Sequence, residues 1–208
     1  LPREAIRTSH LWIWGDVDAD PSLGTQVMNP PDCLGHHPVH HLEETIIDPG
    51  MVLNHLRQKH QSCCHHGLVK VARMAGGFEI LTGGERILTK HLVLAAGAGN
   101  EALGMMLGRT PGFMQRRPLR MYLIRGALPT LYGHAMRQKE VALTIHTIPA
   151  APNERTWVIG GALAEDAPDL HADDAEHRLR NALMVFLPGG LPNGCWWSSY
   201  RIDRAEKA

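Results

Sequence analysis

The side chains best suited to binding a metal ion fall in two short segments. They are His36, His37, His40 and His41 in GHHPVHH, and the consecutive Cys63, Cys64, His65 and His66. Cysteine and histidine are the usual ligands of structural zinc, but zinc sites favour ligand pairs spaced about two to four residues apart on each knuckle. Adjacent ligands cannot easily surround one ion. The pattern therefore favours polar loop histidines, a Cys/His metal-binding protein is the weaker alternative, and no metal site is predicted.

A continuous apolar run that ends in small residues is the second feature with chemical meaning. In the segment HLVLAAGAGN, the chain leaves the apolar run through Gly97 and Gly99. Such a run is typical of a strand buried on both faces, so residues 90–97 are predicted to form a buried strand. Small residues at its exit would let the backbone approach a bulky cofactor closely. An ordinary exit from strand to loop is the alternative. GAGNEALG (97–104) superficially matches a dinucleotide fingerprint, but it comes too late in the pattern of elements.

The first third of the chain is predicted to be poor in regular structure. Frequent proline and glycine make residues 1–42 mostly irregular, with one strand at LWIW (11–14). A helix is predicted over 45–61, where Asp48 can cap the first turn and Pro49 can occupy the first helical position. The apolar face of this helix is formed by Val52, Leu53 and Leu56.

The rest of the chain alternates short strands with glycine or proline turns. The predicted strands are 68–73, 77–82, 86–97, 119–126, 141–148, 155–161 and 195–204. Those after residue 110 suggest an antiparallel sheet. Between the last two strands, Asp173 and Glu176 are spaced like a capping box at the start of a helix that Pro188 ends. The apolar face of that helix is formed by Leu179, Ala182, Leu183 and Phe186.

Composition excludes several classes of function. The 208 residues are 44% hydrophobic, which is enough for a real core, and the formal net charge is +0. A neutral chain argues against electrostatic binding to nucleic acid or to an anionic membrane. No signal peptide and no apolar run of about 18 residues is present, so no membrane span is expected. Four cysteines without a disulfide framework indicate a reducing, cytoplasmic location. A first residue other than methionine suggests a trimmed or incomplete chain.

Four segments together resemble the D-amino-acid oxidase superfamily of FAD-dependent oxidoreductases, which includes glycine and sarcosine oxidases. They are IIDPGMVLNHLRQ, KHLVLAAGAGNEAL (90–103), RPLRMYLIRG (117–126) and WWSSYRIDRAE (196–206). Each motif is weak by itself, and the order and spacing carry the resemblance. It implies an α/β fold: a partial FAD-binding, Rossmann-like domain over 43–110, and a substrate domain with a mainly antiparallel sheet over 1–42 and 111–204.

The resemblance implies FAD as cofactor, with Ala96, Gly97, Ala98 and Gly99 beside the flavin. The sequence departs from the family in two respects. It has no G-x-G-x-x-G turn, whose helix N-terminus would hold the pyrophosphate, and no C-terminal glycine-rich segment that closes over the flavin. We therefore expect this chain to bind FAD weakly, if at all.

The resemblance also implies the substrate contacts. Arg201 matches the late-strand arginine that clamps a substrate carboxylate, since a guanidinium fork fits two carboxylate oxygens. Its alternative is a surface pair with Asp203 or Glu206. Tyr200 could line a pocket or belong to the core, and Arg125 could bind substrate or be a surface charge at a strand end. No general base is required when an amine arrives neutral.

The implied function is FAD-dependent oxidation of an amine, an amino acid or a similar small molecule by hydride transfer to flavin. The alternative is a non-catalytic remnant or binding module of the same fold that has lost the cofactor. Neither the substrate nor the oligomeric state follows from the sequence.

Overall fold

The structure is a computed structural model that describes residues 1–17 and 24–208. Alternating apolar and polar residues build eleven strands in the described part of the chain, and these fall into two sheets. The strands are β1 (Ile6–Gly15), β2 (Thr25–Gln26), β3 (Val39–Ile47), β4 (Val69–Met74), β5 (Gly77–Thr82), β6 (Glu85–Thr89), β7 (Met114–Gly126), β8 (Gly133–Arg137), β9 (Glu140–Ala151), β10 (Glu154–Gly160) and β11 (Trp196–Lys207).

Four α-helices connect these strands: α1 (Pro49–Lys59), α2 (Asn100–Met106), α3 (Ala162–Glu165) and α4 (Ala172–Phe186). The mixed α/β class predicted from the sequence is confirmed. No helix within the described ranges is long and apolar enough to cross a membrane.

The chain forms two compact units. The first comprises residues 1–52 and 119–202, and the second comprises residues 53–118 and 203–208. These boundaries cut α1, β7 and β11, so the ends of these elements are counted with the second unit. The eight-stranded sheet has the order β11-β7-β10-β9-β8-β1-β3-β2. The strand pairs β10–β7, β10–β9, β8–β9, β1–β3 and β2–β3 are antiparallel, while β1 and β8 are parallel.

The main core of the first unit lies between one face of this sheet and α4. Trp14, Tyr122, Ile145 and Trp157 point from the sheet, each 0% or 1% exposed. They share a cluster with the buried helix residues Leu179, Leu183 and Phe186. These are the apolar positions that the 3.6-residue period of α4 brings to one side. The predicted core face of α4 is therefore correct, except that Ala182 is only partly buried.

The second unit contains the three-stranded sheet β4-β5-β6, which is antiparallel throughout. Two-residue turns end in Gly76 and Gly84, both with positive φ, as predicted from the glycine pairs. Val71, Ile80 and Ile87 are aligned across the three strands and share one face. In this row Val71 is buried, while Ile80 and Ile87 are only partly buried.

Several sequence predictions are wrong in detail. Residues 1–42 contain more regular structure than predicted, because they supply the whole of β1 and the start of β3, two long strands of the large sheet. Residues 18–23 of this segment lie outside the described residues. Residues 90–97 are not a buried strand: β6 ends at Thr89, and Val93 is 86% exposed. A strand buried on both faces needs neighbours, and neither described sheet includes this segment.

The helix predictions also need correction. Helix α1 does begin at Pro49, and the Asp48 Oδ1 atom accepts a hydrogen bond from the Met51 N–H at 3.0 Å. However, α1 buries no residue, and its predicted apolar face is exposed at Leu53. Helix α4 begins one residue after His171, which makes no side-chain cap, so the predicted capping box does not form.

Candidate functional site

The two faces of the eight-stranded sheet differ in chemistry. Trp14, Ala135 and Leu143 are aligned across β1, β8 and β9 and point towards α4. The neighbouring residues Ile13 on β1, His134 on β8 and Thr144 on β9 form a second aligned row. Because side chains alternate along a strand, this second row points to the opposite side. We call that side the histidine face; it also carries His40, which is aligned with Ile13, and His146, two residues beyond Thr144.

A hydrogen bond fixes one ring on the histidine face. The His134 Nδ1 and Thr144 Oγ1 atoms are 3.1 Å apart across the β8–β9 hairpin. When Nδ1 carries the proton it donates to the hydroxyl, and Nε2 is then left with a free lone pair. Burial, together with the nearby His146, lowers the pKa of His134, while Glu44 opposes that change. The imidazole of His134 is therefore neutral at neutral pH.

His146 lies on β9 beside the side chain of Tyr132. Its ring meets the Tyr132 ring edge to face, with centroids 6.3 Å apart. The His146 residue keeps contact with solvent, yet the protein atoms packed around its ring displace enough water to lower its pKa. Burial raises the pKa of Tyr132, which is 6% exposed. Both groups are therefore uncharged at neutral pH.

The β3 side of the face adds a buried imidazole. His40 is 8% exposed, and its Nδ1 atom has no hydrogen-bond partner among the described residues. Glu44, four residues further along β3, supplies the nearby negative charge felt by His134. Most buried polar atoms in folded proteins have a hydrogen-bond partner, because an unpaired one destabilises the fold. This cost marks the histidine face as more than a solvated surface.

Arg125 also points to the histidine face. It is aligned with Thr156, one residue out of step with the core positions Ile124 and Trp157. Its Nε and Nη2 atoms donate to the Glu154 Oε2 atom at 3.1 and 2.8 Å. The side chain is 50% exposed. A half-exposed pair of this kind adds little stability, so the guanidinium can exchange partners.

Tyr200 and Arg201 point to opposite faces of β11. The Ser199 Oγ atom accepts a hydrogen bond from Arg120, whose guanidinium also donates to the carbonyl of Leu170 just before α4. Arg201 is two residues beyond Ser199, and its Nε atom lies 3.3 Å from the Asp169 Oδ1 atom. Arg201 is therefore on the α4 side, and Tyr200 is on the histidine face with Arg125. The three predicted substrate residues are not brought to one face, and Asp169 is an ion-pair partner of Arg201 that was not predicted.

The segment predicted to lie beside the cofactor is an exposed turn. Residues Gly97–Gly99 form a short 3-10 helix, and the Ala96 N–H donates to the Asn100 side chain at 2.7 Å. Gly97 has a φ of 54°, and no heavy atom lies within 4 Å of where its Cβ would be. The open backbone at Gly97 fits close approach by a planar cofactor. It provides no phosphate cradle.

The histidine and cysteine segments are spread over separate contacts. His10 Nδ1 and His41 Nε2 are 2.6 Å apart, His37 bonds the carbonyl of Val185, and His65 pairs with Glu85. No group of three or more His, Cys, Asp or Glu side chains that could hold a metal ion occurs within 1–17 and 24–208. All four cysteines are free thiols.

Sequence reasoning missed the histidine face. A usable signal was present in ALTIHTI, where the apolar Leu143 and Ile145 alternate with the polar Thr144 and His146. Period-two alternation of this kind separates a core face from a polar one. The pairing with His134 could not be seen, because β8 had not been predicted.

Comparison with known proteins supplies independent information. No family model matches the chain. A probable FAD-dependent oxidoreductase of Pseudomonas aeruginosa, PA4991, is 38% identical over 130 residues, which are 60% of this chain and 33% of that protein. The crystal structure of PA4991 covers 100% of this chain and 58% of its own, with a TM-score of 0.83 and 27% identity. The match thus spans about a third of the curated relative and under two thirds of the crystallised chain.

A more distant structure supports the fold alone. Iminodiacetate oxidase from Chelativorans sp. BNC1 matches 94% of this chain and 60% of its own, with a TM-score of 0.61 and 13% identity. The similarity of fold extends over nearly the whole chain, although the prediction of a buried strand at residues 90–97 is wrong. The predicted relationship to FAD-dependent oxidoreductases is confirmed by both sequence and fold.

Proposed function

We propose that this chain is part of an FAD-dependent oxidoreductase that oxidises an amine, an amino acid or a similar small molecule by hydride transfer to flavin. The observation that carries the proposal is the match of the whole chain to the FAD-dependent oxidoreductase PA4991. The TM-score of 0.83 supports the proposal because the likeness extends over the whole chain and is not limited to one motif. Fold alone does not imply function, and the sequence identity adds the second support.

The flavin would supply the oxidising chemistry, and this chain would position the substrate. We assign Ala96, Gly97, Ala98 and Gly99 to the contact with flavin, because their small side chains leave the backbone accessible. The first unit would serve as the substrate domain, and the second as the part of the FAD-binding domain that this chain contains.

The substrate would lie against the histidine face. Arg125 is well suited to bind a carboxylate there, because its present partner Glu154 is half exposed and can be displaced. Tyr200 is on the same face, 42% exposed, and can add an aromatic wall. Arg201 remains a candidate carboxylate contact, but it would have to leave Asp169 and act from the opposite side of β11.

The second candidate is a binding module of the same fold that has lost its cofactor. The flavin content of the full-length protein separates this alternative from the oxidoreductase.

The four free thiols support our proposal of a reducing, cytoplasmic location.

Purification of the full-length gene product tests these alternatives. We expect it to show the visible absorbance of oxidised flavin, and we expect that absorbance to bleach under anaerobic conditions when a substrate amine or amino acid is added. A full-length protein that neither carries nor takes up FAD would refute the oxidoreductase and leave the binding module. Metal analysis of the same sample tests the Cys/His alternative.

A further inference from the structure

The histidine face contains two imidazoles on adjacent strands that act on each other. The charge of protonated His146 contributes to the lowered pKa of His134. The register places Gly133 opposite Ile145 and His134 opposite Thr144, so His146 is the diagonal neighbour of His134 on β9. Diagonal side chains on one face of an antiparallel pair are about 7–8 Å apart at the backbone, within reach of aromatic rings.

The surroundings restrict this pair to one added proton. A positive charge on either imidazole disfavours a second charge on the other. Among the described residues, Glu44 on β3 is the carboxylate that opposes this effect on His134. Other titratable groups near the pair are His40 on β3, Tyr132 before β8, and the pair of Arg125 on β7 with Glu154 on β10. Arg7, Asp48 and Arg155 also lie close enough to Tyr132 to affect its pKa.

One ring of the pair is oriented and the other is accessible. Thr144 holds His134 through Nδ1, and in the tautomer with its proton on Nδ1 the accepting atom is Nε2. His146 is exposed and is positioned by the edge of Tyr132. An oriented acceptor beside a solvent-exposed partner is the arrangement that lets a proton enter and then leave.

We propose that His134 and His146 form a single proton-accepting pair that deprotonates the substrate. The inference rests on the proposed function and assigns it a substrate class, namely amines that bind as ammonium ions. In the step, one N–H bond of the ammonium breaks, its electron pair stays on the substrate nitrogen, and the proton forms a new N–H bond at Nε2 of His134. The neutral amine that remains can then be oxidised, and the proton leaves through His146 to solvent.

The expected pH dependence follows from the direction of the pKa shifts. Because the pKa values of both imidazoles are lowered, the pair is unprotonated and able to accept at neutral pH. As the pH falls through those lowered values, the pair becomes protonated and kcat/KM falls. A base poised near the working pH typically contributes about 10²–10⁴-fold to the rate.

Asparagine variants of full-length, flavin-loaded protein test the pair. We expect His134→Asn to lower kcat/KM for amine-driven flavin reduction by about 100-fold at neutral pH and to move the acidic limb of its pH profile up to the pKa of the substrate ammonium. At a pH above the pKa of the substrate ammonium, the variant should recover towards wild type, because the amine then arrives neutral. Thr144→Val should reduce kcat/KM by a smaller factor and keep the limb, and the exposed His55→Asn on α1 is the matched control.

A measurement independent of flavin uses the imidazole resonances of labelled protein in an NMR titration. Replacing His146 by Asn should raise the pKa of His134, since the neighbouring charge is removed. Amine-driven flavin reduction whose acidic limb stays at its wild-type pH in both His134→Asn and His146→Asn would overturn the pair while leaving the oxidoreductase intact. Failure of every amine to reduce the wild-type flavin would instead overturn the proposed function, and the pair with it.

Discussion

Thr147→Val should destabilise the first unit more than any loss of packing can explain. The Thr147 Oγ1 atom accepts a hydrogen bond from the Leu131 N–H at 2.8 Å and donates one to the Leu131 carbonyl at 2.7 Å. Thr147 is 4% exposed and Leu131 is 0% exposed, so water cannot replace either bond. This hydroxyl therefore satisfies both backbone groups of a buried loop residue.

The magnitude follows from the two groups left without partners. Each buried donor or acceptor that loses its partner costs about 1–3 kcal/mol, so the loss of two partners in Thr147→Val should cost about 2–6 kcal/mol. Thr147→Ser keeps the hydroxyl and loses one methyl group, which costs about 1 kcal/mol. The difference between the two variants isolates the hydrogen bonds from the packing.

Urea unfolding followed by circular dichroism measures the difference. With a slope near 2–3 kcal/mol per molar urea, a loss of about 3 kcal/mol lowers the midpoint by about 1 M. The loss of these hydrogen bonds should also loosen the histidine face, because the loop that contains Leu131 continues through Tyr132 into β8. If the valine and serine variants unfold within about 0.5 kcal/mol of each other, the two hydrogen bonds do not hold this loop and the reasoning is wrong.

Three further predictions concern other parts of the chain. Gly133→Ala should unfold the sheet or cut the yield of soluble protein, because the added Cβ would lie 2.2 Å from the Trp12 carbonyl oxygen; a melting temperature close to wild type would contradict this. The hydrogen bond from the Met51 N–H lowers the pKa of Asp48, burial opposes this change, and the nearby Arg7 adds to it. The stability that the Asp48 carboxylate contributes is therefore present at neutral pH and is lost as the pH falls through the lowered pKa. Urea midpoints of Asp48→Asn and wild type should converge in acid. In the complete enzyme, Arg125→Ala should raise KM for a carboxylate substrate by the equivalent of about 2–5 kcal/mol and Arg125→Lys by less; unchanged kinetics would exclude Arg125 as a contact.

The elements that depend on local signals could be predicted from the sequence. Helix α4 has a regular apolar period, and the strands β4 and β5 are flanked by glycine turns. Asp48 and Pro49 mark the start of α1 as expected. These features follow from interactions within a few residues, and a single sequence contains that information.

The elements that depend on distant partners could not be predicted. Strand β8 is five residues long, and its hairpin turns at Gln138 and Lys139, which take positive φ without any glycine to signal it. The run at 90–97 has the composition of a buried strand, but burial requires neighbours that composition cannot supply. Which face of β11 carries Arg201 depends on its contact with Asp169, a residue 32 positions earlier in the chain.

The parallel pair of β1 and β8 sets the order in which this sheet can be completed. β1 ends at Gly15 and its partner β8 begins at Gly133, so more than half of the chain separates two strands that are neighbours in the sheet. Closing such a long loop is entropically costly and slows folding. During synthesis, β1 and β3 can pair early, but one edge of β1 stays open until β8 leaves the ribosome. Expression fragments that end before β8, or that begin after β1, would each expose an unpaired edge in the middle of the sheet and should aggregate.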